Sequence, residues 1–284
     1  MNNVICQCVV VLYRSTFEQS KTLRSLVAIK QRNPAVCAKV GLLIYDNSPN
    51  EQPQAFDGSG FGSFAYLHDP QNSGLAVAYN AGLSRAQTSG IDWLMLLDQD
   101  TELHHDSLHA LFNAIESRPP DSICALVPKL LRGDTVLSPQ RIGRFKNQSV
   151  TPDFAGISVE RLTALNSAAC LRIRALVEIG GFPQEYWLDF LDHAVFHRLQ
   201  AAGGKVQVLD TVIQHQLSSL NLEHEMSLSR YTGMLAAEWR FVRETGTGGG
   251  AFCHRLRLLK RTVTYAVRWK NKAYARATLR ASLA

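Results

Sequence analysis

Two carboxylates one residue apart, Asp98 and Asp100, close an apolar run, Trp93-Leu94-Met95-Leu96-Leu97. Taking charge out of water costs free energy unless a partner compensates it. Ligands of open α/β sheets bind at the carboxyl ends of strands. Paired acids there suit a hard divalent cation, because Mg²⁺ typically takes one or two protein carboxylates and completes its shell with substrate phosphates and water. The same stretch, Leu-Leu-Asp-Gln-Asp-Thr-Glu-Leu at 96–103, also reads as a turn whose Asp caps the next helix. Spacing alone leaves both readings open.

Other groups fall where they could share that edge. Asp46-Asn47-Ser48 also ends an apolar segment, and its carboxylate suits either a base N–H or an Asx-turn. Asn72-Ser73-Gly74 and Asn80-Ala81-Gly82 put small residues at the start of a helix. Backbone can approach a ligand closely there and offer N–H groups to phosphate, or the helix can simply pack tightly. Gly180-Gly181-Phe182 precedes a second acid pair, Asp189 and Asp192, followed by His193. Beside it Tyr186 and Trp187 suit sugar-ring stacking or a core. His193 and His197 share a helix face but lack the HExxH pattern. His104, His105 and His109 fall on a helix read as exposed, and His68 in a loop.

The elements that must position these groups alternate. Strands are expected at 4–12, 41–45, 64–67, 93–97 and 206–209, with another at 123–128. Helices are expected at 16–31, from 75, at 106–117, 192–202 and 226–243, and at 252–280. Residues 49–62 read as loop, 132–160 as irregular, and 246–250 as a glycine hinge. Strand and helix in alternation predict an α/β fold around a mostly parallel sheet.

Composition sets the class. The chain has 284 residues, 46% hydrophobic and 19% charged, which suits one large globular domain or a domain with an appendage. No apolar run reaches the ~18 residues that span a bilayer, and the N-terminus lacks a basic region before its apolar run, so it reads as a first strand. Six cysteines without a CxxC pair read as reduced thiols of a cytoplasmic protein, with Cys6 and Cys8 on one strand face. The net charge of +6 is concentrated at 254–280, where His254 and nine Lys or Arg residues occur without an acid. That tail reads as a solvated helix or as one lying on an anionic membrane leaflet; no nucleic-acid motif accompanies it.

In this order the features resemble the inverting family 2 glycosyltransferases of the GT-A fold. The matching residues are Val10-Val11-Leu12-Tyr13, Asp46-Asn47-Ser48, Asn72-Ser73-Gly74 with Asn80-Ala81-Gly82, Leu97-Asp98-Gln99-Asp100, Gly180-Gly181-Phe182, and Asp192 with Arg198. The likeness covers about 4–217, and Leu-Asp-Gln-Asp-Thr looks most like the bacterial rhamnosyltransferase branch. It implies a GT-A catalytic domain at 1–220, with a nucleotide-binding half to about 105 and an acceptor half beyond it, then C-terminal helices at 221–284. It implies transfer of L-rhamnose from dTDP-rhamnose to a saccharide or lipid-linked saccharide in surface polysaccharide synthesis, with UDP- or GDP-sugars as alternative donors.

The residue roles follow from the same resemblance. Tyr13, Asp46, Asn47, Asn72, Gly74, Asn80, Asp98 and Gln99 would face the nucleotide-sugar. Asp100, with Asp98 and His215, would hold Mg²⁺ or Mn²⁺. Asp192 would be the catalytic base, with Asp189 its rival, and Trp187 and His193 would meet the acceptor. The chain departs from the family at Leu191, where a Glu is usual. A HAD-type phosphatase also uses DxD but needs Thr or Val two residues after the second acid; here Thr101 follows at once. An inactive carbohydrate-binding or scaffolding protein is the reading outside enzymes. The span Gly58 to Gly62 is not GxGxxG, so a dinucleotide site is not expected.

Overall fold

The computed structural model describes residues 4–143, 146–214, 226–246 and 250–283. Its first half runs β1 (Cys6–Leu12), α1 (Lys21–Arg32), the short α2 (Pro34–Cys37), β2 (Val40–Asp46), β3 (Ser63–His68), α3 (Leu75–Thr88), β4 (Trp93–Asp98) and α4 (His105–Glu116). Next come β5 (Ile123–Arg132), β6 (Thr135–Ser138), β7 (Gln140–Arg141), β8 (Gln148–Ser149), β9 (Gly156–Ile157), β10 (Leu162–Thr163) and β11 (Cys170–Arg172). The chain continues through α5 (Ile173–Glu178), α6 (Leu191–Ala201), β12 (Lys205–Gln214), α7 (Leu228–Thr245), α8 (Gly250–Arg268) and α9 (Ala273–Leu283).

Among the described residues the main sheet has the order β3-β2-β1-β4-β11-β5-β12-β9, with β6 on β5. β1 pairs parallel with β2 and β4, and β2 with β3. Every residue of β1 and β2 is buried, as expected of parallel strands covered on both faces. Alternation along β1 feeds two cores: Val9 and Val11 pack on one side with Tyr79 and Leu83 of α3. Cys6, Cys8, Val10 and Leu12 pack on the other with Leu23 and Leu26 of α1. The six cysteines are free, and five of them are buried.

Several expectations need correction. α1 starts at Lys21, later than the expected 16, because the Ser20 hydroxyl caps it by accepting from Leu23 N at 3.2 Å. His68 ends β3, and its Nε2 meets the Ser48 carbonyl at 2.8 Å, so it is not a loop residue. β11, inside an apolar stretch, runs antiparallel to both β4 and β5. The irregular 132–160 contains short strands, two of which build a small sheet with β10. The single helix expected at 252–280 is two: α8 ends at Arg268, and the Asn271 Oδ1 accepts from Ala273 N to start α9.

α7, α8 and α9 build their own small core from Tyr231, Leu235, Trp239, Leu258 and Tyr274. His254, counted above with the basic tail, is fully buried against the Trp239 edge, 4.5 Å between centroids. Burial holds its pKa below the usual histidine value, so it is not a surface cation. No described helix is long and apolar enough to cross a membrane. The expected boundary near 220 lies outside the described residues, and so does 247–249 of the glycine hinge.

Candidate active site

The carboxyl ends of β1, β2 and β4 lie side by side, because the three strands are parallel neighbours. Side chains tie these ends together. Gln99 Oε1 accepts from Tyr13 N at 2.8 Å, and Arg14 N donates to Ser48 Oγ at 2.8 Å. The start of α1 grips the turn after β4: Ser20 Oγ donates to the Gln99 carbonyl at 2.9 Å and Thr22 Oγ1 to that of Thr101 at 2.9 Å. Thr22 also reaches the Asp98 carbonyl. The backbone of the Asp98-Gln99-Asp100 turn is therefore held by a neighbouring helix before any ligand arrives.

Asp46 is fully buried. Its carboxylate accepts from Ser48 N at 2.9 Å, from Gln52 Nε2 at 2.6 Å and from Tyr66 Oη at 3.0 Å. The first of these is the Asx-turn geometry weighed above. Beside it, Asn47 Oδ1 is buried with no partner among the described residues, and an orphaned buried acceptor calls for an explanation. Tyr13 is the exposed member of this edge, with the Arg14 guanidinium over its ring.

Asp98 is oriented from two sides. Ser167 Oγ donates to its Oδ2 at 2.6 Å, and the Tyr79 hydroxyl lies 3.5 Å from its Oδ1. Ser167 arrives on the strained turn before β11, where Ala168 has φ +61°. Asp100 accepts no hydrogen bond from the described residues, so its carboxylate is left for a ligand. His215 lies outside the described residues. No group of three metal-ligating side chains occurs among those described. Two strand-end carboxylates, one without a partner, fit a cation that takes its remaining ligands from a substrate's phosphates.

The opposite wall is built by the loop before α6. Trp187 Nε1 donates to the Asn72 carbonyl at 3.0 Å, and its own carbonyl accepts from Leu75 N at 2.9 Å. Gly74 has φ +95°, and a Cβ there would lie 2.5 Å from the Trp187 oxygen. Glycine at 74 thus admits the Trp187 loop, an approach that any larger residue would block. Asn80 donates to the Phe182 carbonyl at 2.8 Å and accepts from Phe182 N at 2.9 Å. Phe182 in turn packs its ring 5.2 Å from that of Tyr79. Gly82 lets α3 lie on Val9, which a Cβ would strike.

Asp192 sits in the first turn of α6, and its Oδ1 accepts from His193 N at 2.7 Å. Phe190, the residue before the helix, holds φ +66°, an uncommon conformation for a bulky side chain. Leu191, the departure from the family pattern, is fully buried in the core between sheet and helices. Asp189 lies 3.7 Å from Arg230 of α7. Its pKa is raised, by burial first and also by the charge of Asp192, while Arg230 opposes the rise. His193 faces Thr163 Oγ1 at 2.6 Å and packs with Phe190 and Phe241.

The two walls converge on Tyr79. Burial lifts its hydroxyl pKa well above the ordinary value, and the charges of Asp98 and Asp192 both add to the rise. Tyr79 thus touches the strand-end carboxylate of Asp98 with its hydroxyl and the Phe182 turn ahead of α6 with its ring. Ser167 falls in Asn166-Ser167-Ala168-Ala169, which the family resemblance assigns to an acceptor-side loop without a single role, and the fold instead brings its hydroxyl to Asp98. Tyr79 and Arg230 escaped the sequence reading. Only the small-residue character of Asn80-Ala81-Gly82, next to Tyr79, pointed near one of them.

A model of glycosyl transferase family 2 matches residues 19–168. No curated protein matches the chain. Among solved structures, S. aureus TarS 1–349 is similar with a TM-score of 0.53 at 14% identity, over 96% of this chain and 90% of that one. TarS itself gives 0.51 at 13% identity, over 96% and 54%. TarS 1–349 in complex with UDP gives 0.51 at 13% identity, over 93% and 75%. At these identities the likeness is one of fold.

Proposed function

The chain belongs to glycosyl transferase family 2 and is a glycosyltransferase of the GT-A fold, and we propose that it inverts the anomeric centre while moving L-rhamnose from dTDP-rhamnose. The acceptor in this reading is a saccharide or lipid-linked saccharide of a bacterial surface polysaccharide, with the basic C-terminal helices holding the protein near the membrane. UDP is the second candidate for the donor nucleotide, favoured by the TarS complex.

The donor half is the edge formed by Tyr13, Asp46, Asn47, Asp98 and Gln99, with Asn72, Gly74 and Asn80 shaping its far side. Asp100 and Asp98 would hold Mg²⁺ or Mn²⁺, with His215 as a further ligand. There the ion would act as a Lewis acid on the leaving diphosphate. Asp192 takes the proton of the acceptor hydroxyl as that oxygen bonds to the anomeric carbon. The bond from that carbon to the diphosphate breaks, and its electron pair leaves with the nucleotide. Attack on the face opposite the leaving group inverts the centre. Trp187 and His193 lie on the acceptor side, and alignment of both substrates supplies a large part of the rate.

The observation that carries this reading is the joining of the two walls: Tyr79 meets Asp98 on one side and Phe182 on the other, and the Trp187 loop before α6 hydrogen-bonds to Asn72 and Leu75, which supports one site with a donor end and a base end. Asp192 is favoured over Asp189 because Asp189 is already paired with Arg230. Calorimetry with dTDP, UDP and GDP, each with and without Mn²⁺, tests the donor: one diphosphate should bind tightly and only with metal. Binding of none would favour the scaffold reading. Asp192→Asn should abolish transfer and keep donor binding; if Asp189→Asn does so instead, the base assignment moves.

A further inference from the structure

The C-terminal helices enclose a groove that the transfer reaction does not use. It lies between α7 and α9, and its volume is about 800 Å³. Leu235, Trp239, Ala277 and Ala281 line it, and Trp239 Nε1 donates to the Ala281 carbonyl at 2.6 Å, tying the two helices together. Alanines recur one turn apart on α9 and keep the space open.

The same groove is lined by four arginines, Arg240 and Arg243 from α7 and Arg276 and Arg280 from α9. All four are exposed, and none makes an ion pair among the described residues. The acid in the lining, Glu244, is held by the Tyr186 hydroxyl at 2.8 Å and lies 3.6 Å from Arg198. Guanidinium forks match phosphate oxygens bidentately. Trp239 forms the buried floor, and the open apolar lining is Leu228, 40% exposed, with the alanines; an apolar cleft with such a rim fits an apolar chain that ends in phosphate, whereas a soluble phosphate would leave that lining uncovered.

α8 supplies a second observation that points to lipid. Phe252, Leu256, Leu259, Val263 and Val267 recur on one helix face and are 40% to 77% exposed. Arg255 and Lys260 flank that stripe at helical spacing, and residues 250–283 contain no acid. A surface that is both apolar and uniformly cationic repels a second copy of itself and suits an anionic lipid interface.

We propose that the groove between α7 and α9 binds lipid phosphates, with the hydrocarbon on Leu228 and the alanines and a phosphate or diphosphate head on the four arginines. This deepens the acceptor half of the proposed function and rests on it for what the lipid carries. The binding itself is read without the donor.

Calorimetry on the full chain in metal-free buffer tests it, with geranylgeranyl diphosphate as probe and inorganic diphosphate and geranylgeraniol as its two halves. The intact probe should bind at least about tenfold tighter than either half. The double variant Arg276→Ala/Arg280→Ala, and separately Ala277→Phe, which fills the groove, should each weaken it about tenfold or more. Tight dTDP binding with Mn²⁺ should persist in both variants and report a folded donor half.

Equal affinity for inorganic diphosphate, or insensitivity to both variants, would overturn the proposal. So would a contact confined to α8, seen as binding to phosphatidylglycerol–phosphatidylcholine vesicles that Leu256→Asp/Val263→Asp abolishes while the probe does not bind. If the probe binds and no nucleoside diphosphate does, the transferase reading fails and the groove stands.

Discussion

Asp98 and Asp189 are both partly buried carboxylates, and different partners hold them: the Ser167 and Tyr79 hydroxyls are among those at Asp98, and the Arg230 guanidinium lies at Asp189. Arg230→Ala would leave Asp189 beside Asp192 without its counter-charge. Its pKa, already above the ordinary value through burial, would rise further. A carboxylate with a raised folded-state pKa stabilises the fold while protonated and loses that contribution as pH rises through the pKa. The variant should therefore be less stable by about 1 kcal/mol near neutral pH, and the deficit should shrink as pH falls to about 4. Urea unfolding at both pH values checks this; an equal deficit at each would mean that Arg230 acts through packing alone. The carboxylates at 98, 100 and 192 were legible as candidates because acids at predicted strand and helix ends are few. Tyr79 was not, and Ser167 only as part of an acceptor-side loop, since a hydroxyl in an apolar run carries no signal for its partner until the fold brings an acid to it.

The start of α3 and the loop before α6 form one unit. Asn72 and Leu75 hydrogen-bond to Trp187, and Asn80 clasps Phe182. Gly74→Ala should disrupt that unit, because the positive φ and the nearby Trp187 carbonyl both oppose a Cβ. A loss of about 2 kcal/mol is expected, together with a change in near-ultraviolet circular dichroism as Trp187 shifts. A variant with native stability and spectrum would show that the loop yields freely. The sequence places the helix start here, through Asn-Ser-Gly before an apolar run. What the glycine is for could not be read, because the side chain that needs the room lies more than a hundred residues away.

Across the whole molecule, the C-terminal helices are fastened to the catalytic half by polar contacts from α7. Glu244 meets Tyr186 and Arg198, and Arg230 meets Asp189. Phe241 adds ring contacts with Phe190, His193 and His197. A double-mutant cycle of Tyr186→Phe and Glu244→Ala should show a coupling of about 1 kcal/mol in urea unfolding. Additive effects would mean that the helical end is only loosely attached. The same attachment places the groove's Arg240 and Arg243 on the helix that contacts the loop leading into α6, whose first turn carries the candidate base.

The sequence alone determined the alternation of strand and helix, the buried parallel strands, the acids at their ends and the acid-free tail. Each is written locally, in runs of a few residues whose period or charge decides their state. The tertiary structure decided what local pattern cannot carry: β11 entering the sheet antiparallel, Leu191 filling core, and His254 leaving the basic surface. It also decided that the tail folds as two helices with a groove against α7. These outcomes depend on partners distant in the chain, and only close packing sets which side chain meets which.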